Sequence, residues 1–133
     1  DLGIVAGLCD RVNVMYAGRI VESAPVDDLY EHPAHPYTMG LLRSLPRLDG
    51  KPKARLQTIP GLPPDLIHMP EGCAFSPRCP FAQDCPKDAP RLVEVGPRHQ
   101  AACWLSPGEI AERIRLGVGS RAVASHVDGS PHA

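Results

Sequence analysis

Apolar positions at the start of the chain recur at helical spacing: Leu2, Val5, Leu8 and Cys9, with Ile4 broadening the stripe. They predict a helix, with Asp1 placed where a carboxylate favours its N-terminus. Asp10 and Arg11 end the pattern. Two β-rich runs follow, Val12–Tyr16 and Arg19–Glu22, around the pair Ala17-Gly18, and together they predict a hairpin. Pro25 opens a short predicted helix over Val26–Glu31, with Asp27 and Asp28 in its first turn. Pro33 stops it. Pro36 opens another, to about Ser44, with Tyr37, Leu41 and Leu42 on one side, and Pro46 closes it.

Regularity fades after residue 45. Lys51, Lys53 and Arg55 form a basic stretch that reads as a solvated linker. Leu56–Ile59 is a candidate short strand, and Pro60-Gly61 a turn. Pattern returns at Ser106-Pro107-Gly108-Glu109, a capping box with Pro at the first helical position. Ile110, Ala111 and Ile114 are expected on the inner side of a helix ending near Gly117. The Gly-, Ser- and Ala-rich remainder predicts disorder. No internal repeat is read.

Composition explains the irregular middle. The chain has 133 residues and 16 prolines, and 12 of the prolines lie from Pro46 to Pro107. Proline lacks the backbone donor and clashes with a helical turn, so long helices and central strands are not expected there. Four of the 5 cysteines lie in the same stretch, which makes them candidates for holding it together. The net charge of -1 excludes a nucleic-acid polycation. No apolar run approaches the ~18 residues of a membrane span. The first residues carry no signal-peptide pattern and no Met, so the chain reads as a fragment of something longer.

Cys73, Cys79, Cys85 and Cys103 are spaced C-x5-C-x5-C-x17-C. Thiolates are soft ligands, and four complete a zinc site or an iron–sulfur cluster. Pro80 and Pro86 stiffen the chain where it leaves Cys79 and Cys85, and Gly72 permits close backbone approach before Cys73. Gaps of five exceed the ~2–4 residues usual in zinc sites and lean toward a larger object. Two disulfides rank second, since nothing indicates export, and inert thiols last. Cys9, on the apolar stripe, reads as a core residue. His99 is expected at the surface or beside the ligands. His32, His35 and His68, each close to a proline, read as capping or turn residues, and Tyr37 as packing on the Pro36 helix. Trp104 is expected to shield the cysteine site. Arg11 and Arg19 are expected solvated or paired at the hairpin surface. No G-x-x-x-x-G-K-[ST] loop, HExxH motif or nucleophile elbow is present.

The run DLGIVAGLCDRVNVMYAGRIVE resembles the end of the nucleotide-binding domain of ABC transporter ATPases, starting just after the switch-histidine position. Tyr30 to Thr38, containing His35-Pro36-Tyr37, resembles the hallmark of the oligopeptide/dipeptide subfamily. Ile59-Pro60-Gly61-Leu62-Pro63-Pro64 and Gly72 to Pro80 continue the likeness, which covers about residues 1–104. The resemblance implies an α+β fragment: a helix and β-hairpin from the end of an ABC ATPase domain, then an irregular extension organised by a metal cluster. It divides the chain into 1–25, the ATPase end; 26–105, the subfamily extension; and 106–133, a helix and tail departing from the common pattern.

By the same resemblance, the parent is the ATP-hydrolysing subunit of a di- or oligopeptide importer, with relatives that import nickel and other small solutes. Carried over by position, Cys73, Cys79, Cys85 and Cys103 are ligands of a [4Fe-4S] cluster that stabilises or regulates the ATPase dimer. The implied partners are a second ATPase subunit and transmembrane permease subunits, not nucleic acid. The implied location is the cytoplasmic face of the cell membrane. ATP and Mg belong to the full-length parent, because this chain lacks the phosphate loop, signature motif, catalytic carboxylate and switch histidine. Two alternatives stay open: a zinc-binding interaction module, and a redox-sensing regulatory domain.

Overall fold

The structure, a computed structural model, describes residues 7–45 and 58–118. Within them lies a four-stranded antiparallel sheet in the order β1-β2-β4-β3. The strands are β1 (Arg11–Tyr16), β2 (Arg19–Pro25), β3 (Val93–Gly96) and β4 (His99–Ala101). Three short helices accompany it: α1 (Val26–Glu31), α2 (Pro36–Arg43) and α3 (Pro107–Arg115). This is the expected α+β class. Most of the predicted first helix lies outside the described residues; Gly7 and Leu8 are helical. The basic stretch at 51–55, part of the candidate strand at 56–59, and the tail beyond 118 also lie outside them. Thr58 and Ile59 are not in a strand.

The hairpin forms where the alternation places it. Ala17 and Gly18 both have positive φ, 51° and 81°, as a two-residue turn matched to strand twist requires. In β1, Val14 and Tyr16 face the core while Asn13 and Met15 face out. Helix α1 matches its predicted bounds. Helix α2 begins at Pro36 as expected, with Ser44 as its C-cap.

The proline-rich stretch does hold a central strand, against expectation. β4 lies between β2 and β3, pairing Ala101 with Glu22 and Val93. It forms because the prolines leave windows: none occurs over 91–96 or 98–106, and Pro97 falls in the turn between β3 and β4, beside Arg98 at φ 58°. The hairpin therefore has a sheet neighbour within this chain, where a lone hairpin is marginal in water. Arg11 reaches across to donate to the Arg98 carbonyl at 2.7 Å.

The core joins hairpin, α2 and cysteine loop. Val14, Tyr16, Val21, Ala24, Leu29 and Phe75 form its buried cluster. Tyr16, Tyr37 and Phe75 meet as an aromatic trio with centroids 4.7–5.4 Å apart. Edge-on arrangements of this kind favour one geometry over a smear of contacts. The capping box of α3 forms as read, Ser106 Oγ accepting from Glu109 N and Glu109 accepting from Ser106 N. Its inner side is narrower than expected: Ile110 is fully buried, but Ala111 and Ile114 are exposed, because no described element covers the second turn.

A polar network is buried at the centre. Glu22 on β2 has no exposed surface. Its Oε2 accepts from Ala34 N at 2.7 Å and its Oε1 from His35 N at 2.9 Å. His99 Nε2 on β4 lies 2.5 Å from Oε2. A buried carboxylate is tolerated only when its lone pairs are occupied, and these are. His99 is accordingly buried and paired, not a surface residue. The substitution Glu22→Ala strands two amide donors and an imidazole at once, and is expected to cost about 3–5 kcal/mol of stability. Urea unfolding of the full chain checks this, and a loss under about 1 kcal/mol would contradict the role given to Glu22.

Candidate cysteine site

The cysteine loop is built from a short repeat. Cys73-Ala74-Phe75 is followed by a 3-10 turn, Ser76–Arg78; Cys79-Pro80-Phe81 is followed by a second, Ala82–Asp84. Each turn ends at the next cysteine, with Cys79 N donating to Ser76 O at 3.2 Å and Cys85 N to Ala82 O at 3.1 Å. Phe75 and Phe81 are both buried. A period of six thus explains the two gaps of five: one phenylalanine anchors each turn, and the turn returns the next thiol to the same side. Cys-x-Phe recurring at 73 and 79 was visible in the sequence, and corrects the reading that no repeat is present.

Neighbouring elements lock this loop. Arg78 donates through Nε to the Pro60 carbonyl at 3.1 Å and through Nη2 to the Ile59 carbonyl at 3.3 Å. Gly72 has φ 77°, and a Cβ there would lie 3.1 Å from the Lys87 carbonyl carbon and 3.2 Å from the Pro86 oxygen. Close backbone approach before Cys73 is therefore real, and demands glycine. Cys103 follows β4 directly, where Ala102 N donates to Val21 O at 2.8 Å.

All four thiols line one apolar cavity, together with His35, Phe75, Phe81, Trp104 and Leu105. All four are free and half-buried. Burial pushes Cys79 up to about 12, helped by the nearby Cys103, Cys73 and Cys85. Burial likewise pushes Cys103 up to about 11, with Cys73 and Cys85 adding to it. Cys73 is raised for the same first reason. Among the described residues, however, no three His, Cys, Asp or Glu groups are gathered as a set able to hold a metal ion. The donor chemistry, four thiols on one apolar cavity, suits a thiolate-bound group.

The histidines separate cleanly. His35 is the N-cap of α2, its Nδ1 accepting from Tyr37 N at 3.0 Å. Burial pushes it down to about 4, against a smaller upward pull from the Ala102 carbonyl. That carbonyl stands near the ring but outside hydrogen-bonding geometry, and Nε2 has no partner. His32 caps the end of α1 through its backbone N–H, and His68 closes a turn with Asp65 at 3.0 Å. Trp104 lines the cavity but is 40% exposed, its Nε1–H donating to the Asp88 carbonyl at 2.8 Å, so it covers the site only in part. Cys9 is exposed rather than in a core, because it follows the last helical residue before β1 and no described element covers it.

Comparison with known proteins gives a consistent set. Residues 21–85 match the family model described as oligopeptide/dipeptide transporter, C-terminal region. The oligopeptide transport ATP-binding protein OppD of Haemophilus influenzae is 51% identical over 116 residues, covering 87% of this chain and 34% of that protein. The OppD of Salmonella typhimurium is 49% identical over 104 residues, covering 78% and 31%. That of Mycobacterium tuberculosis is 54% identical over 104 residues, covering 77% and 17%. The chain spans about a third of the length of the first two.

The raised thiols set an order of reactivity, since the thiolate is the nucleophile. With iodoacetamide at pH 8, exposed Cys9 is expected to react first, and Cys79 and Cys103 at least ~10-fold more slowly. Their rates should climb as the pH rises toward their raised values. Peptide mass spectrometry against time reads the order; equal rates for Cys9 and Cys79 would contradict the buried, neutral site.

Proposed function

The chain belongs to the oligopeptide/dipeptide transporter family through its C-terminal region, and from that premise we propose that it forms the distal part of the ATP-binding subunit of an oligopeptide importer. The observation that carries this is the identity of about half the residues to proteins named for oligopeptide transport. In this reading, ATP and Mg are held by other parts of the subunit, because the chain has no phosphate-cradling loop. Residues 1–25 close the ATPase domain, 26–105 form the extension, and 106–133 an appendage. The partners are a second ATP-binding subunit and the transmembrane permease subunits, which place the protein on the cytoplasmic face of the membrane. Among the described residues, no helix is long and apolar enough to cross a membrane. Leu62, Leu66, Ile67 and Met69 expose a row of apolar side chains along one loop, a surface suited to such docking.

Disrupting the gene for this chain is expected to abolish uptake of radiolabelled oligopeptides into cells. Undiminished peptide uptake, with loss of transport of another solute such as nickel, would overturn the peptide assignment.

For the extension, the reading is that Cys73, Cys79, Cys85 and Cys103 hold a [4Fe-4S] cluster, with zinc as the alternative. Their shared apolar cavity supports a thiolate-bound group. A zinc ion needs four sulfurs drawn to about 2.3 Å from one point, whereas a cluster spreads its ligands around a larger body. The C-x5-C-x5-C-x17-C gaps, longer than the ~2–4 residues usual in zinc sites, favour the cluster over zinc. When bound, the group supplies cross-links that a proline-rich loop with a small core otherwise lacks. Metal and sulfide analysis of anaerobically purified protein is expected to give iron with acid-labile sulfide. Zinc alone would select the alternative.

A further inference from the structure

His35 is buried on all sides, with 1% of its surface exposed, yet one of its polar atoms is unused. Its backbone N–H is taken by Glu22 Oε1. Its ring packs against Phe75 at a centroid distance of 5.8 Å. Nδ1 accepts a hydrogen bond from Tyr37 N, so Nδ1 carries a lone pair. The neutral imidazole must then carry its proton on Nε2. That N–H has no partner in hydrogen-bonding geometry, the Ala102 carbonyl standing near it but outside that geometry, and a buried donor left unpaired is destabilising. The ring lines the same cavity as the four thiols.

An N–H of this kind is explained by an acceptor that arrives later. Thiolates and inorganic sulfides are anionic acceptors, and a group bound by the four cysteines would bring them into this cavity. We propose that His35 Nε2–H donates a hydrogen bond to a sulfur of the group held by Cys73, Cys79, Cys85 and Cys103, making His35 a positioning residue that tunes that group. The inference rests on the cluster reading above. Hydrogen bonds to cluster sulfurs stabilise the reduced, more negative state and so raise the potential. The same histidine, through its backbone and Nδ1, ties the cavity to Glu22 and to the start of α2.

The substitution His35→Asn separates the two tasks of the ring. Asparagine caps a helix N-terminus well, so its Oδ1 can replace Nδ1 toward Tyr37 N, while its shorter amide, whose Nδ2 stands at the ring's Cδ2 position, leaves no donor where Nε2 was. In the full chain, loaded anaerobically with iron and sulfide, H35N is expected to keep its iron content. Its reduced-to-oxidised ratio at fixed potential should fall about tenfold, a shift of about 59 mV for a one-electron couple. Full loading with an unchanged potential would overturn the role of His35 and leave the cluster reading standing. Wild-type protein that binds no iron and sulfide would overturn both. Where H35N does not load, wild-type protein labelled with 15N-histidine decides. A 15N hyperfine coupling on the reduced, paramagnetic centre supports the bond, and its absence, with Nε2 turned to the Ala102 carbonyl instead, overturns it.

Discussion

Glu22 is the constraint on which the other parts depend. A carboxylate with no exposed surface survives folding only if its surroundings replace the water it loses. Here the replacements come from two places far apart in sequence: the Ala34–His35 amides and the His99 ring. Satisfying one residue of β2 therefore fixes the entry to α2 on one side and β4 on the other. Direct pairing of Glu22 with Ala101 in the sheet puts both tasks in the same register. A one-residue slip would turn Glu22 to the opposite face and strand all of these donors.

Around that centre, a chain poor in regular structure assembles by small repeated devices. The Cys-x-Phe unit places one buried ring per turn, and Phe75 joins the aromatic trio with Tyr16 and Tyr37. Arg78 uses its guanidinium to collect the Ile59 and Pro60 carbonyls, which proline-rich backbone cannot satisfy by a ladder of its own. These contacts position the thiols without placing them on any long element. The cavity walls are apolar, and burial against them raises Cys73, Cys79 and Cys103.

Local signals in the sequence were reliable where the cause was local. The Ala17-Gly18 hairpin, the Pro36 start of α2 and the Ser106 capping box each depend on a few adjacent residues, and each formed as read. The burial of His99 is not legible in the sequence because its partner, Glu22, lies 77 residues away. β4 is hidden by the proline content of the stretch as a whole, whereas three residues suffice for a strand and Pro97 and Pro107 fall outside them. The four cysteines were legible as a set. Their distribution around a cavity, with His35 beside them, required the fold.

The order of the sheet also sets how the hairpin and the cysteine loop are connected. β2 lies next to β4, so everything from α1 to the end of the cysteine loop is an excursion between two adjacent strands. Cys103 leaves β4 on the rigid side of that excursion, held through Ala102 to Val21. Cys73, Cys79 and Cys85 ride on the 3-10 turns of the other side. A group bound by all four must therefore span a sheet-anchored ligand and three loop-borne ones. The hairpin and the cysteine cavity are thus joined by the Ala102 N–H to Val21 carbonyl bond, one residue before Cys103, and by the Glu22 carboxylate that accepts from the His35 amide.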